Sequence, residues 1–278
     1  METTIKTRKL TEKKYNALSG YIFTSPFFIL YAIFGLFPML FSFYLSFYKW
    51  DGSNPMEFIG IDNFTRMWSD VRVHAAFWNT LIYAVGTVPL TMAFALGLAI
   101  LLNQQIKGRN FFRTVSFFPY VASLVAVAAV WNMIFSPVNG PINEILKLLG
   151  VLDPPRWAAD SDWAMVTVIF FSVWKQMGYY MVIFLAGLQG ISSELYEAAD
   201  LDGANKWQEF LYVTVPQLRP VTFFVLMILT INSFKVYDIV YMITQGGPGT
   251  ATLVLVYEIY NTAFKNWDLG YSSAISML

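Results

Sequence analysis

The sequence contains no cysteine and a single histidine, His74. The absence of cysteine excludes disulfides and thiolate metal sites, and the place of the one histidine in an outer loop leaves no His–Cys metal cluster and no histidine-based triad. No Gly-Lys pair occurs anywhere, so there is no P-loop and no self-contained nucleotide hydrolysis. Charge is scarce too, at 13% of residues against about 25% in an average globular chain. The formal net charge of zero removes the electrostatic argument for a nucleic-acid partner. No catalytic residue and no metal-ligand set is predicted.

What the chain has instead is apolar length. Hydrophobic residues make up 56% of its 278 positions, and no charge interrupts 15–48, 75–106 or 114–143. Each run exceeds the roughly 20 apolar residues that carry a helix across about 30 Å of hydrocarbon. Two further runs, 164–188 and 221–243, qualify although each carries internal charge. Spanning helices satisfy their own backbones, and these runs do not alternate as barrel strands do. The predicted fold is therefore all-α, a polytopic transmembrane helical bundle. Complete spans are expected near 21–44, 80–102, 114–135, 164–188 and 221–243. A sixth is expected to open at Leu269 and to be truncated at Leu278, because ten residues reach only about 15 Å as helix.

Lysine and arginine set the orientation. Lys6, Arg8, Lys9, Lys13 and Lys14 precede the first span, and Lys107, Arg109, Arg113, Lys206 and Arg219 fall on the same side. The other side holds Lys49, Arg66, Arg72, Lys147, Arg156 and Lys265 in longer segments. The bias puts the N-terminus inside, with 1–20 a basic cytoplasmic tail and 21–278 the membrane domain, whose 189–220 loop is cytoplasmic. The first apolar run is too long for a cleaved signal and lacks a small-x-small site, so it reads as an uncleaved span.

The 189–220 loop is the most informative segment. Ser192-Ser193 can cap a short helix, with Glu194 and Glu197 in its first turns where the dipole favours acids. Asp202-Gly203 is a turn signal that ends it, and 204–212 is a second helical run that Pro216 closes. Pro220 suits the first turn of the fifth span. Ala198-Ala199 and Gly203-Ala204 lack bulk, which lets a partner surface approach the backbone. On these grounds alone, a solvated connection and a docking element are both open.

Glu197-Ala198-Ala199, three residues, Gly203, twelve residues, Pro216 resembles the signature loop of permease subunits in binding-protein-dependent, ATP-driven importers. Phe58–Phe64, Phe77–Thr80, Phe117–Pro119, Ala186–Gln189 and Thr244–Pro248 extend the likeness to the carbohydrate branch, the maltose, glycerol-3-phosphate and oligosaccharide permeases. The resemblance covers nearly the whole chain from about residue 20. In that family the loop holds a coupling helix seated in a groove of the ATPase. The resemblance therefore assigns coupling to Glu197, Ala198, Ala199 and Gly203, with Asp200, Asp202 and Ala204 alongside. It implies a second homologous permease subunit, two ATPase subunits, an extracytoplasmic carbohydrate-binding protein and the bilayer of a bacterial or archaeal plasma membrane. ATP and Mg would belong to the ATPase partners, with no cofactor on this chain.

Charge at the bilayer centre is costly, so intramembrane ions imply function or pairing. Lys235 and Asp238, i and i+3 on the fifth span, are expected to pair along one face, with Asn232 extending the stripe. Lys175 lies midway along the fourth span near Gln176, Tyr179 and Tyr180. These groups, with Phe234 and Tyr237, are the candidate substrate pathway. Two readings are open: clusters facing a wet path, or locks between helices. The rival function is a stand-alone, gradient-driven transporter with Lys175, Lys235 and Asp238 as a proton relay. Pro141–Leu149 has amphipathic spacing, for a helix on the bilayer surface or a platform for a binding protein. Gly246–Gly249 is turn chemistry, for a gate loop or a simple bend.

Overall fold

The computed structural model describes residues 2–278, with side chains described from Ala17 onward. The basic side chains expected in the tail (Lys6, Arg8, Lys9, Lys13 and Lys14) lie outside the described residues. Helix α1 (Glu2–Tyr31) runs through a π-helical stretch into α2 (Phe37–Leu45), so the backbone has no break at residue 20. A hairpin of β1 (Tyr48–Lys49) and β2 (Glu57–Phe58) follows, antiparallel, with Tyr48 opposite Phe58 and Lys49 opposite Glu57. Next come α3 (Asp62–Ser69), α4 (Val71–Asn103), α5 (Arg109–Val121), α6 (Leu124–Ile134) and α7 (Pro141–Leu148). Then follow α8 (Ser161–Gln189), α9 (Ser193–Leu201), α10 (Lys206–Glu209), α11 (Val215–Gln217) and α12 (Arg219–Phe234). Short helices α13 (Asp238–Ile243), α14 (Leu255–Tyr260) and α15 (Leu269–Ile275) complete the order.

Three helices are long and apolar enough to cross a membrane: Ala17–Leu45, Val71–Asn103 and Ser161–Gln189. The number is five if each of two bent pairs is one span: α5 with α6, bent by 99°, and Lys206–Gln217 with Arg219–Phe234, bent by 65°. All five expected runs thus fall on helices, but two are not the straight rods expected. The third breaks at Ala122-Ser123, just after Pro119, which lacks the N–H its turn needs. The fifth ends at Phe234, nine residues before the expected 243, and resumes only at Asp238. Pro216 does not close the loop helix, which continues through Gln217. The expected amphipathic helix is present as α7.

The chain divides into two compact units, Met1–Ser69 with Thr262–Leu278, and Asp70–Asn261. In the first, α15 packs on α2, α3 and β1. The backbone N–H groups of Leu269 and Gly270 donate to the Trp50 carbonyl at 2.9 and 3.2 Å. Arg66 bonds Asp268 at 2.7 Å and lies over the Tyr271 ring, 3.8 Å from its centroid. Asp51 folds the hairpin loop by accepting from Asn54 N at 2.8 Å and Ser53 N at 3.0 Å. Those donors favour the carboxylate and lower its pKa to about 2. A depressed acid stabilises its fold above its ordinary value near 3.8 and loses that contribution as pH falls through the folded value. The 50–56 loop is accordingly expected to loosen between about pH 4 and pH 2 and to stay unchanged from pH 5 to 8. Hydrogen exchange across that loop checks it.

The second unit is built on α4 against α8, with α12 against α4 and α5 across α8. Small residues Ala84, Ala95 and Ala99 are buried on α4 and let the backbones approach. The core gathers Ala95 and Ala99 with Tyr180, Met181 and Phe184 of α8 and Val225 and Leu229 of α12. A buried carboxylate, Glu258 of α14, is held by Arg72 in a two-point contact of 2.9 and 2.8 Å.

Candidate functional site

Two features of the second unit carry the functional question, a polar stripe inside the helices and the exposed loop between α8 and α12. The stripe starts at Lys175. Its Nζ donates to the carbonyls of Pro119 at 2.8 Å and Ala122 at 3.2 Å, with Tyr120 at 3.5 Å. These are carbonyls of the broken end of α5, which have lost their helical partners. An ammonium there also meets the negative end of the helix dipole. Lys175 is therefore a cap on a helix break, which accounts for a charge in this span without a proton relay.

One turn further on, Gly178 lies against α5, where a Cβ would strike the Ser116 carbonyl. The Tyr179 ring stacks on Tyr120 at 4.4 Å and 15°. It meets Tyr180 edge-on at 5.1 Å. Tyr180 is almost fully buried and takes a hydrogen bond from Asn232 Nδ2 at 3.3 Å, joining α8 to α12. Gln176 is within reach of the buried Tyr83 hydroxyl, which donates to Ser172 Oγ at 2.9 Å. Phe234 lines an apolar cavity with Val85, Pro89 and Thr230.

Lys235 and Asp238 do not pair. Lys235 is the C-cap of α12 (φ −93°, ψ 8°), and Tyr237 (φ −139°, ψ −58°) precedes α13. A three-residue offset is therefore no longer one helical turn. Among the described residues no ion pair joins the two, and both are exposed. Tyr237 instead belongs to a cluster the sequence reading missed, with ring centroids 5.6 Å from Tyr241, 5.8 Å from Tyr257 and 5.1 Å from Tyr260. The i, i+4 spacing of Tyr237 and Tyr241 and the i, i+3 spacing of Tyr257 and Tyr260 were the available signals.

Tyr179→Ala and Asn232→Ala are expected to lower uptake about two- to tenfold with assembly intact, since an aromatic pair and a hydrogen bond each contribute about 0.5–1.5 kcal/mol. Lys235→Ala, which unpairs nothing, is expected to leave assembly unchanged. Transport assays and size-exclusion profiles of the three variants check both statements.

The loop is self-capped. Ser192 Oγ accepts from Glu194 N at 3.3 Å to open α9. Asp202 N and Gly203 N donate to Ala198 O and Asp200 O, and Ala204 N reaches back to Ala199 O at 2.9 Å. Gly203 has φ +78°, the left-handed value that this helix ending requires. Asn205 and Gln208 form a capping box that opens α10. Tyr196 and Thr214 hydroxyls meet at 3.0 Å and tie α9 to the π-helical stretch after α10. No residue of α9 is buried; Glu197, Ala198, Asp200 and Asp202 are exposed, Ala199 and Ala204 half-buried. Glu197 makes no hydrogen bond or ion pair among the described residues, and Leu201 is 90% exposed. The helix is finished as a backbone and unfinished as a surface.

Residues 88–278 match the family of binding-protein-dependent transport system inner membrane components, and the chain belongs to that family. It is 37% identical over 275 residues, covering 97% of this chain and 92% of the relative, to the lactose transport system permease protein LacF of Rhizobium radiobacter. It is 34% identical over 261 residues, 93% of this chain and 82% of the relative, to the arabinooligosaccharides transport system permease protein AraP of Bacillus subtilis (strain 168). The fold is similar to a chain of a bacterial alginate ABC transporter crystallised with an alginate pentasaccharide-bound periplasmic protein. That match has a TM-score of 0.81 and 24% identity, covering 96% of this chain and 90% of that one.

Proposed function

We propose that this chain is a membrane-spanning subunit of an importer that moves a sugar or oligosaccharide, driven by ATP hydrolysed on partner subunits. The observation that carries the reading is α9: a capped helix between two long apolar ones, with its side chains unburied and Glu197 unengaged. A finished backbone with an open surface suits a socket in another protein. The family membership, and relatives named for lactose and arabinooligosaccharides, support the substrate class.

In this reading a second permease subunit, two ATPase subunits holding ATP and Mg, and an extracytoplasmic binding protein complete the machine. Closure of the ATPases pushes α9, and α8 and α12 carry the push to Tyr179, Tyr180 and Asn232. Uncharged donors, acceptors and rings suit a neutral polyol that must bind and then leave. The N-terminus, 103–113 and 189–220 face the cytoplasm.

Purification tests the assembly: a stable complex with a nucleotide-hydrolysing partner is expected, and proton-coupled uptake by the lone chain would reject it. Orientation is tested with Asn205→Cys in this cysteine-free chain, which an impermeant thiol reagent should label only after the cells are opened. Labelling in intact cells would reverse the topology.

A further inference from the structure

The first unit contains a cleft that the transport path does not use. Its volume is about 630 Å³, within the range of small-ligand sites. One wall is the hairpin loop that Asp51 holds, where the Trp50 indole donates to Asn54 O at 3.0 Å. A second wall is α3, with Asp62 and Arg66. The third is 266–268, fixed by the Arg66–Asp268 pair and by Leu269 N on Trp50 O. These walls are already hydrogen-bonded, so the cleft is preorganised.

What faces into it is not. Lys49 and Glu57 stand opposite each other on β1 and β2 without an ion pair among the described residues. The side chains of Glu57, Asp62 and Asn266 make no hydrogen bond among those residues. Trp267 is 62% exposed and sits at φ +56°, a left-handed conformation that a bulky residue adopts only when its surroundings enforce it. A strained backbone presenting a bare indole beside free carboxylate, amide and ammonium groups offers a stacking face with hydroxyl partners at its edge.

Charge narrows the ligand. Asp51, Glu57, Asp62 and Asp268 outnumber Lys49 and Arg66, so anionic and phosphorylated sugars are disfavoured. No group of three or more His, Cys, Asp or Glu among the described residues is placed to hold a metal. We propose that this cleft is a second saccharide site, binding a neutral mono- to trisaccharide, separate from the Tyr179–Asn232 path. On the orientation of the proposed importer it opens to the extracytoplasmic side; the assignment rests on that reading of function.

The test is equilibrium dialysis of radiolabelled lactose, maltotriose and arabinotriose against the importer, purified in nanodiscs with its own partner subunits but without binding protein. The Tyr179→Ala background weakens the membrane path, and Trp267→Ala tells cleft binding from what remains there. At least one neutral probe should bind. Trp267→Ala should weaken it about tenfold, Glu57→Gln about fivefold, and Trp267→Phe less than about twofold, because the ring face is kept. An alginate trisaccharide should not compete. Equal binding by Trp267→Ala and the parent, which is what an interfacial anchor gives, overturns the site, as does no binding of any neutral probe. Uptake by the otherwise wild-type importer with binding protein added separates the two claims. Saccharide uptake without cleft binding rejects the cleft alone, whereas no saccharide uptake rejects the proposed function.

Discussion

Gly178→Ala is expected to remove most of the folded protein from the membrane, and Gly97→Ala to leave it unchanged or slightly stabilised. Both glycines are inside long helices, where alanine is the better helix former by about 0.5–1 kcal/mol. What separates them is space. A Cβ on Gly97 meets nothing within 4 Å, whereas one on Gly178 collides with the Ser116 carbonyl and the Phe117 backbone. Backbone cannot swing aside as a side chain does, so α5 must move off α8. Overpacking costs about 1–3 kcal/mol even where side chains yield, against a total stability of about 5–15 kcal/mol. Separating the helices would also pull the Pro119 and Ala122 carbonyls from Lys175 and the Tyr120 ring from Tyr179. Lys175→Met keeps the stem and removes only the cap, for an expected loss of about 1–3 kcal/mol. Thermal unfolding of the purified variants should rank Gly97→Ala at or above the parent, Lys175→Met below it and Gly178→Ala lowest. A Gly178→Ala protein as stable as the parent would mean that this helix crossing is not a backbone contact.

The same junction marks where reading the sequence stopped working. Apolar length alone located the helices, because crossing hydrocarbon is a one-dimensional requirement. It did not locate the breaks. Pro119 was visible, but a proline inside a helix bends it only as far as something satisfies the freed carbonyls. Here that something is Lys175, more than fifty positions away. Read alone, Lys175 was an expensive charge, and a relay was one reasonable use for it.

Glu258 of α14 is a second charge settled by a distant partner. Arg72 neutralises it from 186 residues away. Lys235 and Asp238 failed for the opposite reason: their spacing was local, and the helix that would have made it meaningful ends at Phe234. The loop was legible because its devices are local. Ser192, Asp202-Gly203 and Pro220 each act within a few residues of themselves, and each is where the chemistry put it.

That locality gives the loop a sharp expected result. Gly203→Pro should abolish coupled uptake, by more than about tenfold, while the protein still inserts and assembles in the membrane. Proline fixes φ near −65°, but Gly203 sits at +78°, and the change also deletes the N–H that bonds Asp200 O at 3.1 Å. The end of α9 must then rearrange, taking the surface of Glu197 and Leu201 with it. Gly203→Ala is the graded control. Nothing lies within 4 Å of its added Cβ, so only the left-handed strain of about 1–2 kcal/mol is felt, and uptake should fall modestly. Glu197→Lys tests the surface without touching the backbone, because the carboxylate has no partner among the described residues. Charge reversal there should cost the chain nothing in folding and weaken ATPase recovery in pull-downs. The two variants attack one contact by independent routes, backbone shape and surface charge. Normal transport and normal ATPase recruitment in both would leave α9 a solvated connection, and the coupling role would have to move elsewhere in the chain.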